Sequence, residues 1–230
     1  MLAPMTTRRK PKMLDLYCGA GMGSDGYARA GFEVEGIDLN PQPHYPYPFT
    51  QGDALAYLAD TDFLSRFDFI HASAPCQQHT RAKHLRKAQG GESKYPDLLT
   101  PTLALLRAQP VPWVVENVPG APGLESAAVE CGSAYGLGVR RHRLFLSDAV
   151  PLVSSGCDHK AQGRPWGVYH VMADQVPSGG RTALSLEHGL EVMGVDRVIP
   201  WNSLKEGFPP HYTQHVGEQL VAWLADAGRS

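Results

Sequence analysis
No apolar run in this 230-residue chain approaches the ~20 residues needed to cross a bilayer as a helix, so no membrane partner is expected. Cysteine is scarce: Cys18, Cys76, Cys131 and Cys157 stand far apart, without CxxC or other zinc spacing. That excludes a disulfide framework, suits reduced thiols in a cytoplasm, and gives no reason to expect a metal. An excess of one charge is missing too. With 21 Lys and Arg against 23 Asp and Glu, the formal net charge is −2. The chain is no polycation, and any nucleic-acid contact must come from a local positive patch. No apolar stretch follows Arg8, Arg9 and Lys10, so residues 1–11 read as a loose N-terminal arm and not as a signal peptide. Internal repeats and low-complexity tracts are absent. What is present is an ordinary globular composition, 43% hydrophobic and 19% charged. It is enough for one α/β domain with a core and a small appendage, expected to act as a cytoplasmic monomer.

Strand and helix patterns alternate along the chain. Residues 12–18 (KMLDLYC) read as a short buried strand stopped by Gly19, Gly21 and Gly23, with a helix over 24–30. Residues 33–39 read as a second strand, followed by the proline-rich loop NPQPHYPYPF. A short helix is predicted over 53–59 with Asp53 near its N-cap. Then come a strand over 67–74 ending at Pro75, a helix over 97–108 with Pro101 in its first turn, and a strand over 113–118. A strand over 143–147 has a hairpin partner at 126–131. The alternation predicts a doubly wound, Rossmann-like parallel sheet. Residues 12–150 form this main domain. Residues 151–200, rich in Gly and Pro, read as a small irregular lobe, and residues 201–230 return to the main domain through an amphipathic helix over 214–227.

Two sets of residues carry chemistry. In DLYCGAGMGSDGYARAGF the glycines let the backbone approach a ligand where a Cβ would collide. Asp38 ends the next strand about twenty residues on, where a carboxylate can take both hydroxyls of a ribose. Asp53, after Gly52, ends a third unit and could reach an adenine amine. This spacing fits a nucleotide-like cofactor without separating a dinucleotide from S-adenosylmethionine. The second set starts with Cys76, directly after Pro75 at the carboxyl end of a strand, where a thiolate could attack an electron-poor ring carbon. Glu116 and Asn117 end the following strand. Arg141 and Arg143 are expected to alternate along another strand and so face one side. The stretch 81–94 (RAKHLRKAQGGESK) holds five Lys or Arg against one Glu, the charge a loop closing over phosphates would need.

These segments together resemble the DNA cytosine-C5 methyltransferase family. DLYCGAGMGSDGYARAGF is similar to its opening cofactor motif, APCQQHT to its Pro-Cys motif and VVENVPG to its Glu-Asn-Val motif. VRRHRLFL is similar to its paired-arginine motif and FPPHYTQHVGEQL to its closing motif. Order and spacing agree over residues 13–220, interrupted by the lobe, and the compact size is similar to methylases carried by bacteriophages. The resemblance implies a class I S-adenosylmethionine-dependent fold with the lobe as target-recognition region. It implies that Tyr17, Gly19, Gly21, Asp38, Asp53 and Pro75 hold the cofactor. Cys76 would be the nucleophile, Glu116 would serve the cytosine ring nitrogen and amine, and Arg141 and Arg143 would bind the base carbonyl and support the catalytic loop. Arg81, Lys83, Arg86 and Lys87 are the expected contacts to DNA, duplex or single-stranded. The target base must leave the stack to expose both faces of C6.

Three departures from the family pattern stand out: His79-Thr80 for Phe-Ser, Val139 for Gln, and Gly217-Glu218 for Gly-Asn. The last puts a carboxylate where the family has an Asn near the cofactor's methionine end. Thr80 also makes APCQQHT similar to the tRNA-methylating branch, so RNA is the alternative substrate. A catalytically dead nucleic-acid-binding module is a further alternative, opposed by the intact Cys76, Glu116, Arg141 and Arg143. An NAD enzyme would need a hydride-transfer constellation that the sequence lacks.

Overall fold
The computed structural model describes residues 9–75, 96–168 and 181–226. Five parallel strands form most of one sheet: β1 (Lys12–Leu16), β2 (Glu33–Asp38), β3 (Phe49–Gln51), β4 (Phe69–Ala72) and β5 (Trp113–Asn117). β6 (Ala128–Glu130) and β7 (Arg143–Ser147) complete it in the order β3-β2-β1-β4-β5-β7-β6, with β7 antiparallel to both its neighbours. The chain steps outward from β1 to β3 and then crosses to β4 on the other side. In open α/β sheets such a reversal is where a ligand crevice forms, here beyond the carboxyl ends of β1 and β4. The helices among the described residues are α1 (Met22–Arg29), α2 (Ala54–Leu58), α3 (Thr61–Leu64), α4 (Leu99–Ala108), α5 (His159–Gln162), α6 (Leu186–Met193), α7 (Trp201–Glu206) and α8 (Pro210–Asp226). None is long and apolar enough to cross a membrane.

Both faces of the sheet are covered, which is why its strands read as apolar runs. Leu14, Leu16, Ile70 and Val115 pack with Leu99, Leu103 and Leu106 of α4. Met13, Phe69, Val114 and Phe145 pack on the other face with Tyr27 of α1 and Tyr212, Val216 and Leu220 of α8. Period-two alternation puts Asp15, His71 and Glu116 on this second face, and all three are buried. α1 and α8 meet at Gly26, where a Cβ would lie 2.0 Å from the Pro210 carbonyl oxygen.

Several boundaries differ from the sequence expectation. β1 ends at Leu16 because Tyr17 takes a left-handed conformation, φ +60°. The edge strand β3 lies in what reads as a continuation of the proline-rich loop. Residues 9–11 of the expected loose arm are pinned: Arg9 donates to both carboxylate oxygens of Asp68 at 2.7 and 2.6 Å, and Pro11 accepts from Glu33 N at 2.8 Å. Within the irregular lobe, α6 is a regular helix, N-capped by Ser185 and ended by Gly194 at φ +65°. Gly189, mid-helix, hid it from a pattern reading, and a Cβ there would come within 2.7 Å of the Trp201 ring. α8 starts at Pro210, four residues early, since proline suits the first turn of a helix. The lobe shares a third core with the main domain, in which Met22 and Val139 meet Met193 and Leu204.

Candidate active site
The turn after β1 holds three left-handed residues, Tyr17, Gly19 (φ +50°) and Gly21 (φ +85°). Gly21 N–H donates to Cys18 O at 2.9 Å, and a Cβ on Gly21 would lie 2.9 Å from the Tyr45 ring. Only glycine meets both demands. Asp38 fastens this turn to β2: Oδ2 accepts from Gly19 N at 3.0 Å and Oδ1 from Asn40 N at 2.9 Å. Gly52 N–H donates to the Asp38 carbonyl at 2.9 Å, which brings Asp53 alongside. Asp53 is the N-cap of α2, accepting from Leu55 N at 2.9 Å. Tyr17 shares a 2.7 Å hydrogen bond with Thr102 Oγ1. Burial pushes its phenol above the ordinary pKa, Thr102 pulls it back, and the nearby Asp53 charge adds to the rise. Tyr17, Gly19, Asp38 and Asp53 thus come together at one end of the crevice.

At the other end, Pro75 is half-buried after β4. Asn117 ties this segment to the tip of β5, donating through Nδ2 to Ala74 O at 2.9 Å. Glu116, next to it, is buried, and Arg143 Nε stands 2.9 Å from its Oε1. The pair is an ion contact without an aligned N–H···O bond, since Oε1 has no hydrogen-bond partner among the described residues. Burial pushes the Glu116 carboxyl above the usual carboxylate range, against the pull of Arg143, His71 and Arg141.

Arg141 corrects the sequence reading. It does not alternate with Arg143 on a strand, because β7 begins at Arg143 and Arg141 itself has φ +39°. A left-handed residue breaks the period of two, and the Arg141 guanidinium turns toward the lobe, donating to Val168 O at 3.2 Å and to Lys205 O. Glu218 lies exposed on α8 and accepts from Gln214 at 3.1 Å, while Gly217 packs on Ala30, the C-cap of α1. Cys76 and the loop cations Arg81, Lys83, Arg86 and Lys87 lie outside the described residues.

Other residues belong to this region that the motif reading passed over. His71 Nδ1 is 2.9 Å from Asp15 Oδ1, Ser24 Oγ donates to the other Asp15 oxygen, and Tyr45 OH meets Ser24 Oγ at 2.8 Å. This polar row runs under the glycine turn toward Glu116. Arg197 closes the turn from the lobe side, bonding Asp25 Oδ2 and His44 O at 2.9 Å each and also Ala20 O. The available signal was a polar, ionisable residue inside an apolar strand, as in MLDL and FIHA.

A scan against protein-family models finds no match, and a sequence search of curated proteins finds none. Solved structures do match in fold. A DNMT2 mutant from Spodoptera frugiperda superposes with TM-score 0.58 at 13% identity, over 94% of this chain and 100% of that one. A candidate DNA modification methyltransferase encoded within an E. coli prophage gives 0.56 at 13%, over 94% and 99%. The Dnmt2 methyltransferase of S. pombe gives 0.57 at 11%, over 95% and 99%. The α/β sheet architecture is shared with these methyltransferases.

Proposed function
We propose that this chain is a methyltransferase of the cytosine-C5 type, holding S-adenosylmethionine at the glycine turn and a flipped-out cytosine of DNA beside Glu116. The observation that carries the reading is the join between two strand ends. Asn117 binds Ala74 O at 2.9 Å, so buried Glu116 stands beside the stretch that leads through Pro75 to Cys76. The turn fits the cofactor. A Cβ at Gly19 would meet nothing within 4 Å, so space is open above it. Each Asp38 oxygen accepts one amide and keeps lone pairs for a ribose diol, with Tyr17 and Asp53 flanking.

When bound, S-adenosylmethionine supplies a methyl group made electrophilic by its sulfonium. The remaining chemistry belongs to the chain. The Cys76 thiolate adds to C6 of the base, and the displaced electron pair moves to N3, where Glu116 delivers a proton. C5 is thereby made nucleophilic toward the methyl carbon. Loss of the C5 proton to a base re-forms the C5–C6 double bond and expels the Cys76 thiolate, and the N3 proton returns to Glu116. Arg143 is the cation for the base carbonyl, while Arg141 braces the lobe. Arg81, Lys83, Arg86 and Lys87 neutralise phosphates.

Incubation with labelled S-adenosylmethionine and parallel pools of duplex DNA, single-stranded DNA and RNA, followed by nucleoside analysis, tests this reading. The expected product is 5-methyldeoxycytidine. Label confined to RNA would transfer the function to that polymer, and label on an exocyclic nitrogen would defeat the C6 chemistry. Asp38→Ala is expected to weaken S-adenosylmethionine binding by about 1.5–3 kcal/mol in calorimetry, the scale of a lost hydrogen bond from a charged group. Asp38→Asn, which keeps an acceptor for the turn, separates the ligand effect from the loss of the two amide bonds. An unchanged dissociation constant in Asp38→Ala would put the ribose elsewhere.

A further inference from the structure
Four side chains from three pieces of the chain converge at the β6–β7 edge. Cys131 follows β6, His142 precedes β7, Cys157 lies in the segment leaving the sheet, and His159 opens α5. One Sγ or ring nitrogen from each lies within 4.8 Å of all the others. Cys131 Sγ is 3.4 Å from His159 Nε2, and Cys157 Sγ is 3.4 Å from His142 Nε2. The two imidazoles meet edge to face with centroids 5.1 Å apart.

We propose that Cys131, His142, Cys157 and His159 form a closed, structural zinc site. With Zn–S about 2.3 Å and Zn–N about 2.0–2.1 Å, a tetrahedral site has S–N edges of about 3.6 Å, N–N edges of about 3.3 Å and S–S edges of about 3.8 Å. The two 3.4 Å sulfur–nitrogen contacts are already close to such edges. Two thiolates and two imidazoles suit zinc and disfavour the oxygen-seeking Mg²⁺ and Ca²⁺. Two thiolates also cancel the charge of the ion, which lets the site sit half-buried. Four protein ligands leave no coordination position for a reacting water, so the role is structural.

The surroundings are built to hold this geometry. Ser133 Oγ accepts from Asp158 N at 3.0 Å, which leaves its O–H to donate to Cys131 Sγ, 3.1 Å away. Gln162 donates to both Leu137 O and Val139 O at 2.9 Å, and Arg140 donates to Gly163 O at 2.8 Å. Glu130 is no competing ligand. It is held by Tyr135 OH, by His215 Nδ1 at 3.2 Å and by Ser155 N at 3.3 Å. The metal would fasten residues 157–163 to the turn at 139–142. Arg143 Nη1 donates to His142 O at 3.0 Å, so the same turn supports the arginine that faces Glu116. A Cys131–Cys157 disulfide is the competing use of the two sulfurs, and it would leave both histidines without a purpose.

The test needs no activity assay. Full-length protein made in zinc-supplemented medium and purified without chelator is expected to carry about one zinc per chain by elemental mass spectrometry. Exchange with Co²⁺ alone should give the visible bands of tetrahedral cobalt and a near-ultraviolet sulfur-to-cobalt charge-transfer band. Cys157→Ser and His159→Gln should each weaken metal binding about tenfold or more, whereas Cys18→Ser should leave the stoichiometry unchanged. Wild-type protein with less than about a tenth of an equivalent of zinc and no cobalt bands would overturn the proposal. So would cobalt bands that survive unchanged in both ligand variants, or a metal-free protein whose peptide map shows Cys131 joined to Cys157.

Discussion
Glu116→Gln is expected to slow methyl transfer by about 10²–10⁴-fold, the usual share of a positioned proton donor, while S-adenosylmethionine affinity stays nearly unchanged. The amide keeps the size and one acceptor of the carboxyl group but cannot release a proton to N3. Glu116 is suited to the role by its setting. It is buried at the tip of β5, and burial raises its pKa against the attraction of Arg143, His71 and Arg141. Near neutral pH it is therefore more often a carboxylic acid than an exposed glutamate would be. The wild-type single-turnover rate should fall as pH rises through this raised pKa, because the acid form is consumed. In Glu116→Gln that decline should vanish from the profile. A glutamine variant within about threefold of wild type would remove Glu116 from proton transfer.

The sheet was legible in the sequence because its strands are short apolar runs bounded by glycine and proline, and because 126–131 and 143–147 read as hairpin partners, as β6 and β7 are. Asp53 as an N-cap was legible because capping is a local event. The misses are positions where a local rule met a non-local demand. Arg141 was assigned to a strand by spacing, but the bonds from Tyr212 OH to the carbonyls of Arg140 and Arg141, at 2.9 and 3.1 Å, hold the chain in a turn there. Gly and Pro content made residues 151–200 read as irregular, yet Gly189 sits inside a helix where the lack of a Cβ admits the Trp201 ring. Asp15 and His71 passed as strand residues, although each is a polar group inside the core that required a partner and found the other. The Cys131, His142, Cys157 and His159 cluster was hidden most completely. Zinc spacing is a criterion for ligands on one loop or hairpin. Here ten residues separate the first pair in sequence, and only the sheet edge brings the second pair back to meet it.

Covalency yields the other large effect. If Cys76 adds to C6 and the C5 hydrogen must later leave as a proton, cytosine bearing fluorine at C5 should halt the cycle after methylation. The C5 carbon becomes nucleophilic before that hydrogen is needed, so the methyl group is still accepted. Fluorine cannot depart as a cation, the double bond cannot re-form, and the sulfur–C6 bond has no route to break. Enzyme should therefore accumulate as a protein–nucleic acid adduct that survives denaturing electrophoresis and requires S-adenosylmethionine. Cys76→Ala should form none and should lose at least about 10³-fold in turnover, since a covalent route cannot proceed without its nucleophile. Glu116→Gln should form the adduct slowly, in step with its reduced rate, because the proton it withholds is the one that draws electrons to N3. The two variants thus separate two failures: absence of adduct marks the nucleophile, and slow adduct marks the acid. Offered on DNA and on RNA, the same trap reports the polymer by which lane shifts. Normal turnover of the unfluorinated base with no adduct on either polymer would exclude attack at C6, and near-normal turnover in Cys76→Ala would exclude Cys76 as its agent.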